Sequence, residues 1–307
     1  MSTAASADFR SQLLAAQAAN DSLLCVGLDP EPARFPGAWK DDPARIFDFC
    51  AAIVDATADL VCSYKPQIAH FAAQRAEDQL ERLMHYIGTR APQVPVILDA
   101  KRGDIGSTAE QYAREAFVRY SADAVTLSPF MGADSLEPYM RYSGRGLILL
   151  CRTSNPGGSD LQAQQLANGD CLYEHIARLA AGEWNSGGQI GLVVGATFPH
   201  ELARVRALAP SLPLLIPGVG VQGGDAVATV QAAWGPDAPI VVSSSRAVLY
   251  AGAALHDFAT AARATALVTR TQLQQAAKSG WGGKGAKDGK GGKGRRGAGP
   301  AKGARFE

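Results

Sequence analysis

A short segment of the chain places two aspartates and a lysine within six residues. Asp99 and Lys101 are two residues apart, and Asp104 follows three residues later. Side chains alternate between the faces of a β-strand, so Asp99 and Lys101 are expected to point the same way. A lysine held among Asp29, Asp99 and Asp104 would stay an ammonium ion, because opposite charges favour the charged form. Such a group can stabilise and protonate a developing carbanion.

Further polar residues follow other apolar runs of the sequence. Asp29 follows the first run and Lys65 lies at the end of the second, whereas Ser154 and Arg246 follow later runs. Burying an isolated aspartate or lysine costs free energy unless it is paired. These residues are therefore expected to meet around a shared centre. The alternative is an ion-pair network with a purely structural role.

A glycine-rich segment and an arginine could together bind a phosphate. Gly218, Gly220 and Gln222 follow the seventh apolar run, and glycines let backbone N–H groups approach an anion closely. Arg246 follows the eighth run, where it would open a helix and add a planar cation. If these runs are the seventh and eighth strands of a (β/α)8 barrel, the loops after them are where such barrels commonly bind a phosphate. A phosphate site is therefore favoured over a glycine turn with a surface arginine.

Eight apolar runs, each followed by a helical pattern, would position these residues. Each run is rich in Val, Ile or Leu and bounded by turn residues, which is typical of strands in a parallel sheet. The runs are Leu23–Leu28, Val61–Pro66, Val94–Ala100, Ala124–Leu127, Gly146–Cys151, Ile190–Gly195, Leu214–Pro217 and Ile240–Ser243. Eight such pairs within about 270 residues predict an α/β protein with a (β/α)8 TIM barrel. A doubly wound sheet is disfavoured, because no GxGxxG follows the first run.

Amphipathic segments predict several of the helices. One helix, Ala7–Asn20, would precede the first strand, and others would span Pro43–Leu60, Ser107–Tyr120 and Ala251–Leu267. Ser107 and Glu110 have the spacing of a capping box, which predicts that Ser107 caps its helix.

Composition limits the class of protein. The chain has 307 residues, of which 47% are hydrophobic and 19% charged, as in ordinary globular proteins. No apolar run reaches the roughly 18 residues of a membrane span, and no secretory signal is recognised at the N-terminus. Five cysteines without paired spacing favour free thiols in the cytoplasm over disulfides. No cysteine–histidine cluster suggests a zinc site, and no metal site is expected.

The C-terminal segment differs in charge from the rest of the chain. From Lys278 onward there are nine basic and two acidic residues, which leaves 21 basic and 27 acidic residues elsewhere. Residues 279–307 are rich in Gly and Lys and can bury little apolar area. They are predicted to form a disordered tail beyond a catalytic domain of residues 1–278. A solubilising role is favoured over weak contact with nucleic acid.

Six motifs in this chain resemble those of the orotidine 5′-phosphate decarboxylase family. The segment from Asp99 to Thr108 reads DAKRGDIGST, similar to the family signature DxKxxDI and especially to its second, bacterial-type subgroup. The other motifs match in the same order: CVGLDP at 25–30, YKPQ at 64–67, TSNPG at 153–157, PGVGVQGG at 217–224 and SR at 245–246. The resemblance covers about residues 10–268.

The resemblance implies decarboxylation of orotidine 5′-monophosphate to uridine 5′-monophosphate without a metal or organic cofactor. This reaction is the last step of de novo pyrimidine synthesis. Lys101 would protonate C6 of the pyrimidine, and Asp99 would lie beside the departing carboxylate and orient Lys101. Asp29 and Lys65 would hold the ribose, and Lys65 would also join the catalytic chain of charged residues. Ser154 would hydrogen-bond the pyrimidine edge.

The resemblance also implies a phosphate site and a homodimer with shared active sites. Gln222, Arg246 and the backbone from Gly218 to Gly220 would bind the phosphate. Asp104 and Thr108 would be contributed across the dimer interface, so each site would need two subunits. The pyrimidine loop reads SNPG, whereas the other subgroup tends to carry HPG.

Two other functions remain open. Sugar-phosphate decarboxylases and aldol enzymes share the barrel and the DxKxxD pattern, and they stabilise an enediolate with Mg²⁺. Their metal needs an added carboxylate near the second strand, where this sequence has Lys65, and this argues against metal-assisted chemistry. The other possibility is a non-catalytic binder of phosphate ligands or nucleic acid that uses the tail, and its binding would depend strongly on salt.

Overall fold

Eight parallel strands form the centre of the fold in the computed structural model, which describes residues 8–219, 225–235, 237–252, 254 and 256–281. The strands are β1 (Leu24–Leu28), β2 (Ser63–Pro66), β3 (Ile97–Arg102), β4 (Ala124–Leu127), β5 (Gly146–Arg152), β6 (Ile190–Val194), β7 (Leu214–Ile216) and β8 (Ile240–Ser244). All eight predicted strands are confirmed, with small differences at their ends. These strands are buried almost throughout, as their apolar composition predicts.

The strands pair in the order of a barrel. The hydrogen-bonded order is β2-β1-β8-β7-β6-β5-β4-β3, and every pair is parallel. Two parallel bridges, Tyr64–Val96 and Gln67–Asp99, join β2 to β3 and complete the ring. The predicted (β/α)8 barrel is therefore confirmed, and the doubly wound sheet is excluded.

Helices surround the ring and alternate with its strands. They are α1 (Phe9–Asn20), α2 (Ile46–Thr57), α3 (Ile68–Ala72), α4 (Glu77–Arg90), α5 (Gly106–Arg114), α6 (Glu137–Met140), α7 (Gly158–Leu161), α8 (Leu172–Ala181), α9 (Pro199–Leu208), α10 (Ala226–Ala233), α11 (Arg246–Leu249) and α12 (Phe258–Trp281). A π-helical segment, Glu115–Arg119, continues α5. Short 3₁₀ turns occur at Pro32–Arg34, Gly37–Trp39, Pro43–Arg45, Pro129–Met131, Ala133–Ser135 and Glu183–Asn185.

The predicted capping box at α5 is wrong. The helix begins at Gly106, and Ile105 occupies the N-cap position without a side-chain hydrogen bond to the helix. Gly106 has a φ of +55°, which glycine adopts without steric cost. The chain therefore turns into the helix before Ser107, which lies within the first turn and cannot cap it.

The last helix differs from its prediction at both ends. Instead of Ala251–Leu267, the structure has the short α11 and then α12, which continues to Trp281. Leu273, Ala276 and Ala277 are buried, so apolar contact explains why the helix extends beyond its predicted end. Residues 282–307, most of the predicted tail, lie outside the described residues.

Helix α1 closes the N-terminal end of the barrel. Its Phe9 and Leu13 pack against the side chains that fill the barrel interior, including Ile97, Ile148 and Val241. Gly146 contributes to this fit, because any Cβ there would collide with the Phe9 ring. A larger apolar cluster fills the layer between strands and helices. The opposite end of the barrel, where the strands terminate, is the mouth at which barrel enzymes carry their functional residues.

Candidate active site

Two lysines share one carboxylate at the barrel mouth. Lys65, near the end of β2, donates from Nζ to Asp99 Oδ2 at 2.7 Å, and Lys101 Nζ lies 2.5 Å from Asp99 Oδ1. Lys65 and Asp99 are buried, whereas the Lys101 side chain is 45% exposed. In this Lys–Asp–Lys cluster (Lys65, Asp99 and Lys101), three of the charged residues expected to meet at strand ends do so.

The cluster keeps its buried members ionised. Burial by itself would raise the pKa of Asp99, but the ammonium groups of Lys65 and Lys101 hold that pKa well below its ordinary value. Burial would lower the pKa of Lys65, but the carboxylates of Asp99 and Asp29 raise it above its ordinary value. Both shifts come from opposite charges that favour the charged forms. A fixed negative charge therefore lies next to the more exposed ammonium group of Lys101.

Strand β3 is irregular where it carries these residues. Its register against β4 shifts between Leu98 and Arg102, and Lys101 has a φ of +48°. The backbone N–H groups of Ala100 and Lys101 both donate to Thr126 Oγ1 at 3.0 Å. Lys101 thus reaches Asp99 from a bulged strand, and the simple alternation expected from the sequence does not describe this segment.

Thr126 is a site residue that the sequence analysis missed. Its hydroxyl also donates to Asp99 Oδ1 at 2.9 Å, and the side chain is buried. The available signal was a lone hydroxyl residue in the otherwise apolar run of β4. Such a residue needs hydrogen-bond partners inside a barrel.

Asp104 and Thr108 do not join the cluster within the chain. Asp104 is half-buried, its Oδ1 accepts from the N–H of Ile105 at 2.9 Å, and it forms no ion pair with the described residues. Thr108 is exposed on α5. Of the three aspartates expected around Lys101, only Asp99 forms an ion pair with it in the described part of the chain.

Asp29 lies near Lys65 and next to the segment after β8. Its Oδ2 accepts a hydrogen bond from Ser245, whereas Oδ1 is buried and accepts none from the described residues. This contact needs Gly27, because a Cβ there would lie 2.8 Å from Ser245 Cβ. Ser245 is thus a second residue near the site whose contact the sequence did not reveal.

The predicted phosphate residues border a cavity at the mouth. Gly218 and Arg246 line it together with Asp29 and Lys65, and its volume is about 200 Å³. Gly218 has a φ of +97°, a backbone conformation that residues other than glycine rarely adopt. Gly220 and Gln222 lie outside the described residues, so their predicted part in the phosphate site stays a prediction.

The loop that carries Ser154 is attached to the barrel through Arg152. Arg152 is buried at the end of β5, where Nε lies 2.6 Å from Glu201 Oε2 and Nη2 donates to Ser159 Oγ at 2.9 Å. Ser154 itself is half-buried. Gly195 permits the loop to pass close to β6, because a Cβ on Gly195 would lie 2.8 Å from the Cα of Ser154.

Metal-binding clusters and membrane-spanning helices are both absent from the residues that the structure describes. None of the groupings of three or more His, Cys, Asp or Glu side chains there could hold a metal ion. None of the helices in this part of the chain is both long and apolar enough to cross a membrane.

Sequence comparison relates the chain to a known family and to relatives named orotidine 5′-phosphate decarboxylase. Residues 22–255 match the profile of the Orotidine 5′-phosphate decarboxylase / HUMPS family. The orotidine 5′-phosphate decarboxylase of Methylibium petroleiphilum is 72% identical, with 87% of this chain and 99% of the relative covered. That of Polaromonas naphthalenivorans is 70% identical, with 87% and 96% covered.

Solved structures agree with the sequence relatives. The OMP decarboxylase of Leishmania donovani superimposes with a TM-score of 0.76 at 36% identity, covering 88% of this chain and 99% of that chain. The UMP synthase of the same organism gives a TM-score of 0.77 at 37% identity, covering 88% of this chain and 57% of that longer chain. Together with its barrel and its DxKxxD segment, these matches establish that the chain belongs to the Orotidine 5′-phosphate decarboxylase / HUMPS family.

Proposed function

We propose that this chain converts orotidine 5′-monophosphate to uridine 5′-monophosphate and carbon dioxide, the last step of de novo pyrimidine synthesis. The observation that carries this proposal is the Lys–Asp–Lys cluster beside a cavity lined by Gly218 and Arg246. A charged group for chemistry on carbon and a cationic pocket for a phosphate are what this substrate requires. Relatives named for this activity share 72% and 70% of aligned residues with the chain.

Substrate binding would use the cavity residues. Arg246 and Gly218 line a common cavity that would suit a phosphate, since guanidinium groups and backbone N–H groups bind phosphate oxygens well. Asp29 lines the same cavity, and a ribose hydroxyl would donate to its carboxylate, whose Oδ1 has no partner among the described residues. Binding energy from the phosphate and ribose would position the pyrimidine over the cluster.

The reaction would proceed at C6 of the pyrimidine. The bond from C6 to the carboxylate carbon breaks, carbon dioxide leaves, and the electron pair stays on C6. Lys101 Nζ, the exposed ammonium of the cluster, would give its proton to C6 and regain one from water. Fixed charges placed where charge develops stabilise a transition state without reorganising. Asp99, held by two ammonium groups, would keep Lys101 oriented for this transfer.

We also propose that two copies of the chain form a homodimer and complete each other's sites. Asp104 is half-buried but forms no ion pair within the described chain. Beside it, Ile105 is 50% exposed, and Phe130 is 77% exposed in the turn after β4. Exposed apolar side chains mark contact surfaces when they form a contiguous patch. Such a contact would bring Asp104 and Thr108 towards the partner's Lys–Asp–Lys cluster.

The Mg²⁺-dependent enediolate reactions are disfavoured by the same cluster. A Mg²⁺ site needs carboxylate oxygens that are open to the ion. The Asp99 carboxylate already accepts from both lysines and from Thr126, and the facing position on β2 is Lys65. Two ammonium groups beside this carboxylate would repel a divalent cation.

We further propose a cytoplasmic location. All five cysteines are free thiols, and four of them are buried, which suits a reducing compartment. The solubilising role of residues 279–307 stays a prediction, and weak contact of this segment with nucleic acid stays the disfavoured alternative.

The experiment that tests the proposed function follows orotidylate absorbance after the purified protein is added in buffer with EDTA. Conversion to uridine monophosphate is expected, because the proposed reaction uses no metal. No conversion with EDTA, combined with activity on a sugar phosphate in Mg²⁺, would overturn the proposal in favour of the enediolate reactions. Deleting residues 282–307 should leave turnover unchanged. The alternative outcome is that the full chain binds phosphate ligands without converting orotidylate. Loss of that binding in the deletion variant would support the tail-dependent binder.

A further inference from the structure

We propose that Thr126 is a positioning residue that holds Lys101 and Asp99 in their reactive arrangement through one hydroxyl group. The inference rests on the proposed function, because it assigns Thr126 a role in the same decarboxylation. Thr126 lies on β4, the strand next to the one that carries the charged residues. It would act through its neighbours and would not contact the substrate.

The Thr126 hydroxyl connects three groups of β3. It accepts from the N–H groups of Ala100 and Lys101, both at 3.0 Å, and donates its proton to Asp99 Oδ1 at 2.9 Å. A hydroxyl group has one proton and two acceptor lone pairs, so these three bonds use its whole capacity. The Thr126 hydroxyl therefore has no donor or acceptor capacity left for another partner.

The conformation of Lys101 explains why such a connection matters. Lys101 has a φ of +48°. This backbone conformation is unfavourable for residues other than glycine and persists only when the surroundings enforce it. The bulge directs two consecutive N–H groups toward β4, where regular strand pairing cannot satisfy both. The single acceptor Thr126 Oγ1 satisfies both and thereby fixes the backbone of Lys101.

The same hydroxyl also fixes the carboxylate. Asp99 Oδ1 accepts both from Thr126 and from Lys101 Nζ, while Oδ2 accepts from Lys65. Thr126 therefore controls both ends of the contact between Lys101 and Asp99: the backbone from which the lysine extends, and the oxygen that it meets.

The test compares Thr126→Val with Thr126→Ser. Valine keeps the shape of threonine but removes all three hydrogen bonds, whereas serine keeps the hydroxyl. A small misplacement of a reacting group can cost about 100-fold in rate. We expect kcat for orotidylate to fall about 10- to 100-fold in T126V, with KM and the affinity for uridine monophosphate changed less than about 3-fold. T126S should recover kcat to within about 3-fold of the wild type.

Thr57→Val is the matched control. Thr57 is also fully buried, and its hydroxyl bonds to the Ile53 carbonyl and to the Tyr64 hydroxyl. T57V therefore loses a buried hydroxyl of the same kind without touching β3. Its Tm should fall, while its kcat should stay at the wild-type value.

Several results would overturn the positioning role. They are a wild-type kcat in folded T126V, a T126S variant as slow as T126V, or an equal loss of kcat in T57V. If T126V does not fold, Thr126→Cys replaces it, because a thiol is a weaker acceptor and an intermediate kcat is expected. A wild-type kcat in T126C would then refute the role.

A readout independent of activity separates this inference from the proposed function. If the wild type does not convert orotidylate, the proposed function fails. A crystal structure of T126V, or of T126C if T126V does not fold, still decides what Thr126 does. We expect Lys101 to leave the positive-φ region in it and Nζ to move away from Asp99. An unchanged Lys101 φ and an unchanged contact would refute the inference.

Discussion

Lys65 and Asp99 form a buried ion pair across adjacent strands, with Nζ of the lysine 2.7 Å from Oδ2 of the aspartate. Removing two charges from water is expensive, and such a pair is stable only when its remaining hydrogen-bonding capacity is used. The other oxygen of Asp99 meets this requirement through Lys101 and Thr126. The charges are thus ordered by the fold itself, before any substrate binds.

The stability of this pair should depend on pH through Asp99. Its pKa is lowered in the folded protein, so its carboxylate stabilises the fold in full above the unfolded-state pKa of about 4. The contribution decreases as the pH falls below that value and is lost once the pH is below the folded-state pKa. Asp99→Asn should lower the free energy of unfolding by about 3–5 kcal/mol at neutral pH, because it leaves a buried ammonium unpaired.

Urea unfolding of the wild type and Asp99→Asn checks this prediction. The difference between their free energies of unfolding should be largest near neutral pH and should shrink at about pH 3. A difference that is the same at both pH values would show that Asp99 is not held ionised by its neighbours.

Lys101→Ala should remove turnover and leave product binding largely intact. Loss of a general acid typically costs about 10²- to 10⁴-fold, and Lys101 is the exposed ammonium of the cluster. Turnover measured by orotidylate absorbance, with the affinity for uridine monophosphate measured by calorimetry, checks both parts. Lys40→Ala is the control and should behave like the wild type, because Lys40 is exposed and forms no ion pair with the described residues. Retained activity in K101A would contradict the proton-donor assignment.

Arg246→Ala should act mainly on the phosphate of the ligand. A hydrogen bond to a charged group contributes about 1.5–3 kcal/mol, so the affinity for uridine monophosphate should fall about 10- to 150-fold. Uridine, which lacks the phosphate, should bind the variant and the wild type equally. An unchanged affinity for the nucleotide, or an equal loss for uridine, would refute the phosphate role of Arg246.

The elements and most of the site residues could be predicted from the sequence, because apolar runs determine strands and a barrel collects the strand ends at one mouth. The bulge at Lys101 could not, since it depends on a contact with Thr126 on another strand. The same limit applies to Ser245, which reaches Asp29 from 216 residues away. The spacing of residues within one segment of the sequence does not predict contacts between distant segments. The capping box at Ser107 failed for a related reason, because the turn at Gly106 begins the helix earlier.

Gly195→Ala should displace the loop that carries Ser154 through a single added methyl group. A Cβ on Gly195 would lie 2.8 Å from the N, Cα and Cβ atoms of Ser154, so the loop must move. The affinity for uridine monophosphate should fall about 10-fold or more, consistent with a misplaced contact residue.

Gly88→Ala is the matched control, because a Cβ there meets no atom within 4 Å. In the helix α4 this change should stabilise the protein by about 0.5–1 kcal/mol. Equal ligand affinity in G195A and the wild type would show that the position of Ser154 does not matter.

Mixed dimers should reveal whether two chains share each site. If Lys101 acts with Asp104 of the other chain, a dimer of one K101A chain and one D104A chain has one intact site and one doubly altered site. Co-expression in equal amounts gives half mixed dimers by random pairing, so about a quarter of wild-type activity should return.

The control combines K101A with Asp99→Ala. These residues contact each other within one chain, so every site in that mixture is altered and the activity should stay low. Mixed dimers are isolated through two different affinity tags, and their turnover is compared with that of each parent variant. Isolated K101A–D104A dimers with no more activity than the K101A–D99A control would refute shared sites, because the pairing of Asp104 with a partner's Lys101 is the only source of the recovery.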